Sequence, residues 1–174
     1  MHSFMVGLAL SQYLLKTHYE MFKHFQFSLK SKKTAVNKYL EIGPGHGIYF
    51  KYALEYFGFN SSYYAIDISK TSLSMTKNII SYFNLNKHDI VYINDDMLDI
   101  SINNKFDFIT MGEVLEHVNY PQKLLVKLKS LLSETGVAFI STCVNCPTID
   151  HVYHYKSVRE IKNMVKQAGL LIND

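Results

Sequence analysis

Gly43, Gly45 and Gly47 occupy alternate positions in "YLEIGPGHGIYF", residues 39–50, with an apolar run on either side. Glycine permits positive φ and lets the main chain approach a ligand with no Cβ in between. A helix starting behind such a turn offers unpaired N–H groups and the positive end of its dipole. An anionic or carboxylate-bearing ligand suits that place. A tight strand-to-helix turn would use the same glycines, so the acids that follow carry the argument. Asp67 ends "YYAID", 20 residues beyond Gly47. Its carboxylate can accept two hydrogen bonds from the vicinal hydroxyls of a ribose, or cap the helix that "DIS" introduces. Asp95 and Asp96 follow the next apolar run in "INDDMLDI". If Asp67 holds a ribose, a carboxylate there is placed to accept from the exocyclic amine of an adenine, with Met97 covering the ring; otherwise the two acids make a polar turn. The three places together outline an adenosine.

Proton-transfer chemistry has candidates in two later segments. "GEVLEHV", residues 112–118, holds Glu113, Glu116 and His117, and "CPTIDHVYHY" holds Asp150, His151, Tyr153, His154 and Tyr155. Imidazole titrates near neutral pH and is well suited to take a proton from a hydroxyl or ammonium nucleophile. His151 is the favoured base, because its segment falls where the active-site loops of an open α/β sheet gather. His117 is the second candidate, with a backbone-bonded, helix-lining role equally open to it. On a helix, Glu113 and Glu116 or His117 would share a face and could hold a divalent ion, but solvation or ligand contact explains them more simply and no metal is assigned. Cys143 and Cys146, in "CVNC", have the spacing of a zinc half-site or a redox pair. With no second cysteine pair, and with Cys143 ending an apolar strand, neither role is assigned.

Holding these groups together requires strand ends side by side. From residue 39 onward, short β-type runs alternate with helical ones: "YLEIG" then 47–57, "YYAID" then 70–83, "IVYIN", "FDFITM" then 121–133, "GVAFIST" then 156–168. That alternation predicts a doubly wound, mostly parallel α/β sheet with helices on both faces. Gly58 ends the first helix, Pro121 opens the one at 121, and Gly136 and Gly169 fall at helix-to-strand joints. "LLIND" at the end reads as the start of a sixth strand. Upstream, residues 4–29 space Leu8, Tyr13, Leu14, Leu15, Tyr19, Met21, Phe22 and Phe25 among polar residues, as amphipathic helices do. The basic tract "KSKKTAVNK" at 30–38 reads as a solvated connector.

With these motifs in order, the chain resembles the class I S-adenosylmethionine-dependent methyltransferases over roughly residues 37–172. "LEIGPGHG" matches the family's acidic-x-Gly-x-Gly-x-Gly loop, "AIDIS" its ribose acid, "NDDMLDI" its adenine segment, and "FDFITMGEVLEHV" its fourth-strand motif. The resemblance implies a Rossmann-like fold, S-adenosylmethionine as cofactor and S-adenosylhomocysteine as product. It places Gly43, Gly45 and Gly47 along the methionyl part and Glu41 near its amino group. It puts Asp67 on the ribose, Ile68 on the adenine face, Asp96 and Met97 at the adenine edge, and Glu113 beside the sulfonium. It implies that residues 1–36 form a helical lid over a core at 37–174, with Tyr13, Tyr19 and Phe22 able to line the acceptor pocket or to serve as plain core. "VLEHV" followed by Pro121 is similar to the small-molecule branch, which includes quinone-type O-methyltransferases, some thought to use a divalent ion. Nucleobase amino-methylating enzymes carry a different motif where "GEVL" stands here. The implied reaction is methyl transfer to a small molecule, oxygen slightly preferred, by direct displacement.

At 174 residues and 48% hydrophobic, 19% charged composition, the chain is the size and type of one globular domain. The net charge of +3, spread along the chain, does not favour nucleic acid as a partner. "FMVGLAL" at 4–10 is too short to span a membrane, and two cysteines point to a reducing compartment, the cytoplasm by default. A nicotinamide-dependent oxidoreductase would need its third glycine at residue 48, which is Ile. The alternative of another class is a methyltransferase-like protein that binds the cofactor, or a partner chain, without turnover. The family's sheet ends in an antiparallel pair that this sequence does not complete, so a shortened edge is expected to be a homodimer or partner interface.

Overall fold

The computed structural model describes residues 2–173, with the side chains at 2–5 and at Leu8 outside the described residues. Five strands, β1 (Lys38–Ile42), β2 (Ser62–Ile66), β3 (Asp89–Ile93), β4 (Phe106–Gly112) and β5 (Leu132–Ser141), form one sheet in the order β3-β2-β1-β4-β5. Every pairing is parallel, with Glu41 opposite Ala65 on one side and Thr110 on the other. The helices are α1 (His2–Leu14), α2 (Lys16–Ser31), α3 (Ile48–Phe57), α4 (Lys70–Tyr82), α5 (Pro121–Leu131) and α6 (Val158–Gln167). None of the described helices is long and apolar enough to cross a membrane.

Strand alternation divides the core in two. Tyr39, Tyr63, Ala65, Phe108 and Phe139 point to the face covered by α2, α3 and α4, while Leu40, Ile42, Ile66, Ile109 and Met111 point to the face covered by α5 and α6. Both faces are buried, which is why the strands read as nearly continuous apolar runs. On α2, Phe22, Phe25 and Leu29 are fully buried; Phe25 stacks 4.5 Å from Tyr49 and meets Phe139 edge-on at 5.3 Å. This helix is therefore part of the sheet's core, and Phe22 is a core residue. Tyr13 and Tyr19 stay exposed.

Helix ends follow local chemistry. Pro121 sits in the first turn of α5, where its missing N–H costs nothing. Ser157 accepts the Glu160 N–H at the start of α6. At its end Gly169, φ +78, gives its N–H to Lys166 and Leu170 gives its own to Val165, the double closure of a Schellman cap.

The structure departs from the sequence expectation around β5 and at the sixth strand. The helix at 121–133 ends at Leu131, because Leu132 already pairs with Phe106, and the register then jumps so that Phe108 faces Val137. Gly136 thus lies inside β5 at that irregularity; a Cβ there would come 2.7 Å from the Phe106 carbonyl. The sixth strand does not form among the described residues. Leu170 is buried and Leu171 is exposed, as in a strand, but no neighbouring strand supplies ladder hydrogen bonds and β5 remains the sheet edge.

Candidate active site

In this strand order the connections leave β1 toward β2 on one side and enter β4 on the other, so a crevice opens where β1 and β4 adjoin, at their carboxyl ends. The glycine turn follows β1. Gly43, φ +67, donates to Ile66 O at 2.8 Å, and a Cβ on it would lie 2.6 Å from Val114 Cγ2. Gly47, φ +78, precedes α3; a Cβ there would lie 2.8 Å from Thr76 Cα on α4. Lacking a side chain, Gly47 cannot cap α3. His46 does so instead, its Nδ1 accepting the Ile48 N–H at 3.1 Å. Burial, with His18 nearby, pushes this imidazole down to about 4, which keeps the accepting nitrogen unprotonated. His18 and Gln12, which accepts from the Tyr49 hydroxyl, bring the corner between α1 and α2 over the loop.

Asp67 is half-buried at the tip of β2. Burial raises its pKa, while the N–H groups of Ser69 and Gly45 and the Ser72 side chain pull it back. Its Oδ1 accepts from Ser69 N at 2.8 Å, and the capping of α4 belongs to Ser69, which accepts from Ser72. The Gly45 contact ties this carboxylate to the glycine turn. Asn94, which sequence reasoning passed over, donates to the carbonyls of Asp67 and Ile68, both at 2.9 Å, and locks the β2 and β3 tips together. Ile68 is 74% exposed beside them. Asp96 Oδ1 accepts from Leu98 N in an exposed turn, whereas the Met97 side chain is buried in the core under α5 and α6. Ile68, not Met97, presents apolar side-chain surface here.

Glu41 is the most unusual group at the crevice. It is 3% exposed on the central strand, and the Tyr39 hydroxyl, itself 2.8 Å from Thr110 Oγ1, donates to its Oε2 at 2.7 Å. Burial pushes its carboxyl up to about 8, against the pull of that hydrogen bond. Tyr49 lies within the field of both Glu41 and Glu113. It also packs against Gly112, where a Cβ would come 3.2 Å from its ring.

After β4 the segment is not the helix that Glu113 and Glu116 or His117 were expected to share. Glu113 is left-handed, φ +53, its N–H held by Ser141 O at 3.0 Å, and only a 3-10 turn, Leu115–His117, follows. Burial, then the adjacent Glu116, push the Glu113 carboxyl up to about 7. Ser141 Oγ is close enough to steady Glu113 but forms no well-shaped hydrogen bond and is buried without a partner. Glu116, 1% exposed, accepts from Thr142 Oγ1 at 2.8 Å, and its carbonyl receives the N–H groups of Val152 and Tyr153. That anchor brings the later loop onto the crevice. His117 and His151 meet edge-on with centroids 4.9 Å apart, and His117 Nδ1 lies 2.9 Å from Asp150 O. His151 Nδ1 lies 2.7 Å from Cys146 O and 3.7 Å from Cys143 Sγ.

The sheet order, with a left-handed glycine turn and carboxyls at successive strand tips, defines a Rossmann-like α/β protein built for a nucleoside-bearing cofactor. The family described as "Methyltransferase domain" matches residues 13–172, and the chain belongs to it, among the class I S-adenosylmethionine-dependent methyltransferases. It is 34% identical over 103 residues to the mitochondrial ubiquinone biosynthesis O-methyltransferase of Candida albicans, an overlap of 59% of this chain and 31% of that protein. A stretch of 38 residues is 55% identical to the ubiquinone biosynthesis O-methyltransferase of Glaesserella parasuis, covering 22% of this chain and 16% of the relative. The matched stretches thus span a third or less of these curated relatives. Among solved structures, the N-methyltransferase NodS of Bradyrhizobium japonicum with S-adenosyl-L-homocysteine superposes with TM-score 0.70 at 16% identity, over 87% of this chain and 74% of NodS. A methyltransferase of Aquifex aeolicus gives 0.68 at 20% identity, over 86% and 81%. The [4+2]-cyclase SpnF gives 0.73 at 12%, over 87% and 58%, so this architecture alone does not fix the reaction.

Proposed function

We propose that the domain binds S-adenosylmethionine at the β1/β4 crevice and methylates a hydroxyl of a small, quinone-type phenolic acceptor. The relatedness to a ubiquinone biosynthesis O-methyltransferase over 103 residues carries the choice of oxygen. The cofactor would supply a methyl group on a sulfonium. Gly43, Gly45 and Gly47 would give its amino-acid end close main-chain contact, and the buried carboxyl of Glu41 and the half-buried one of Glu113, flanking the loop, suit its cationic groups. Asp67 would accept from the ribose hydroxyls, Ile68 would cover the adenine and Asp96, with the main chain of Met97, would read its edge. The corner of α1 and α2 would act as the lid.

Methyl transfer by displacement breaks the carbon–sulfur bond and forms a carbon–oxygen bond, so the chain must align the acceptor and remove its proton. His151 and His117, in contact with one another, would take that proton, with Asp150 beside His117. Cys143 and Cys146, both free thiols, suit a reducing compartment, and we place the domain in the cytoplasm. The unpaired edge of β5 would accept a strand from a copy of this chain or a partner; light scattering across a concentration series tests that.

Calorimetric titration with S-adenosylhomocysteine, followed by cofactor turnover with a panel of phenolic acceptors, tests the whole reading. Asp67→Ala should weaken binding by about 1.5–3 kcal/mol per charge-assisted hydrogen bond lost. Equal affinity in the variant would contradict the ribose assignment. Tight binding without methylation of any phenol would point to the role without turnover.

A further inference from the structure

The loop after β5 brings two thiols that the methyl-transfer reading leaves unused, Cys143 and Cys146, up to the imidazole of His151. One ligand atom from each of Cys143, Cys146 and His151 lies within 4.8 Å of the other two. A tetrahedral zinc held by thiolate sulfur and imidazole nitrogen needs ligand-to-ligand edges of about 3.5–3.8 Å. Cys143 Sγ and His151 Nδ1, 3.7 Å apart, already span one such edge. We propose that Cys143, Cys146 and His151 form a binding site for a thiophilic divalent cation of the zinc type, with the fourth position open toward the crevice.

The backbone is shaped for it. Asn145 takes a left-handed φ of +53 between the two cysteines, a conformation that favours glycine, and its N–H is held by Tyr155 O at 2.9 Å. This turn folds the Cys-x-x-Cys segment back so that both thiols face one side. His151 Nδ1 is also 2.7 Å from the Cys146 carbonyl. Coordination through Nδ1, the nitrogen on the 3.7 Å edge to Cys143, would replace that contact. Cys146 is exposed, so a cation has a path in, and Cys143 and His151 are half-buried. The surroundings are anionic: Glu113 and Glu116 each fall within 4.8 Å of Cys143 in a second set of potential ligands. Soft sulfur donors select zinc or cobalt over magnesium and calcium. Binding would release both thiol protons to solvent, and the metal would clamp the loop that carries His151, His154 and Tyr153. With His151 on the metal, the acceptor's proton would fall to His117, whose contact with His151 is unchanged; the cation site itself needs neither acceptor nor turnover.

The full chain, kept reduced, is titrated with cobalt(II) and then zinc. The expected result is one cobalt per chain, with a near-ultraviolet thiolate-to-cobalt charge-transfer band and intense visible bands of a tetrahedral centre, both erased by zinc. The paired substitution Cys143→Ser/Cys146→Ser should abolish the charge-transfer band, and His151→Ala should weaken cobalt binding by more than the roughly 10–100-fold typical of losing an outer-shell partner. In the unaltered protein, zinc should protect both thiols from alkylation, which keeps the test independent of whether the variants fold. Cobalt bound without a charge-transfer band would place it on carboxylates and overturn the proposal, as would thiols alkylated at the same rate with and without zinc.

Discussion

Replacing Glu41 by Gln separates what this carboxyl costs the fold from what it gives the ligand. Its pKa stands at about 8 in the folded chain against an ordinary value of 4.5. Ionising it in the folded state is therefore harder than in the unfolded state by about 5 kcal/mol. Below pH 4.5 both states keep the proton and stability is undiminished. Between 4.5 and 8 the unfolded chain loses its proton first, so stability falls, and above 8 the loss levels off. From pH 5 to pH 9 the group alone should remove about 4 kcal/mol, a large share of the roughly 5–15 kcal/mol that stabilises a domain. Gln keeps an acceptor for the Tyr39 hydroxyl and does not titrate. Urea unfolding of both proteins across this range should show Glu41→Gln gaining on the parent as pH rises, because all other titrating groups cancel in the difference. Binding should move the other way. If an ammonium meets Glu41, affinity for S-adenosylhomocysteine rises by up to about tenfold per pH unit toward 8 in the parent and is flatter in the variant. A stability difference that does not change with pH would refute the reasoning.

The two outer glycines should fail differently. Gly43→Ala meets the tip of the Val114 side chain, so adding Val114→Ala should restore part of the lost stability, whereas Gly47→Ala meets the Thr76 main chain and has no such remedy. Each also carries about 1–2 kcal/mol of left-handed strain, and denaturant midpoints of the three variants check the order. The pH profile of turnover should show a limb near 7 from the Glu113 carboxyl that Glu113→Gln removes or moves, measured as kcat against pH. Ser157→Ala should cost about 1 kcal/mol by uncapping α6, read from thermal unfolding.

Periodicity and punctuation in the sequence determined five strand runs, the helices between them and the glycine turn, because both are set by local rules: alternation along a strand, helical repeat, and the few residues that tolerate positive φ. The acids at 67 and 96 were legible for the same reason, since strand ends fall at a fixed place after each apolar run. Whether Leu132 continues a helix or starts a strand depended on its pairing with Phe106, 26 residues earlier in the chain, and the expected strand at "LLIND" finds no neighbour to pair with among the described residues. Local preference carries neither fact. Met97 looked like an adenine cover by position, yet tertiary packing made it core and left Ile68 as the exposed apolar group. Glu41 and Tyr39 alternate on one strand face, but only the central place of β1 between two partners removes water from both and moves the carboxyl so far. In the same way, "CVNC" and His151 lie close together only because Asn145 turns the chain and Glu116 anchors the loop, contacts between segments that no spacing rule contains.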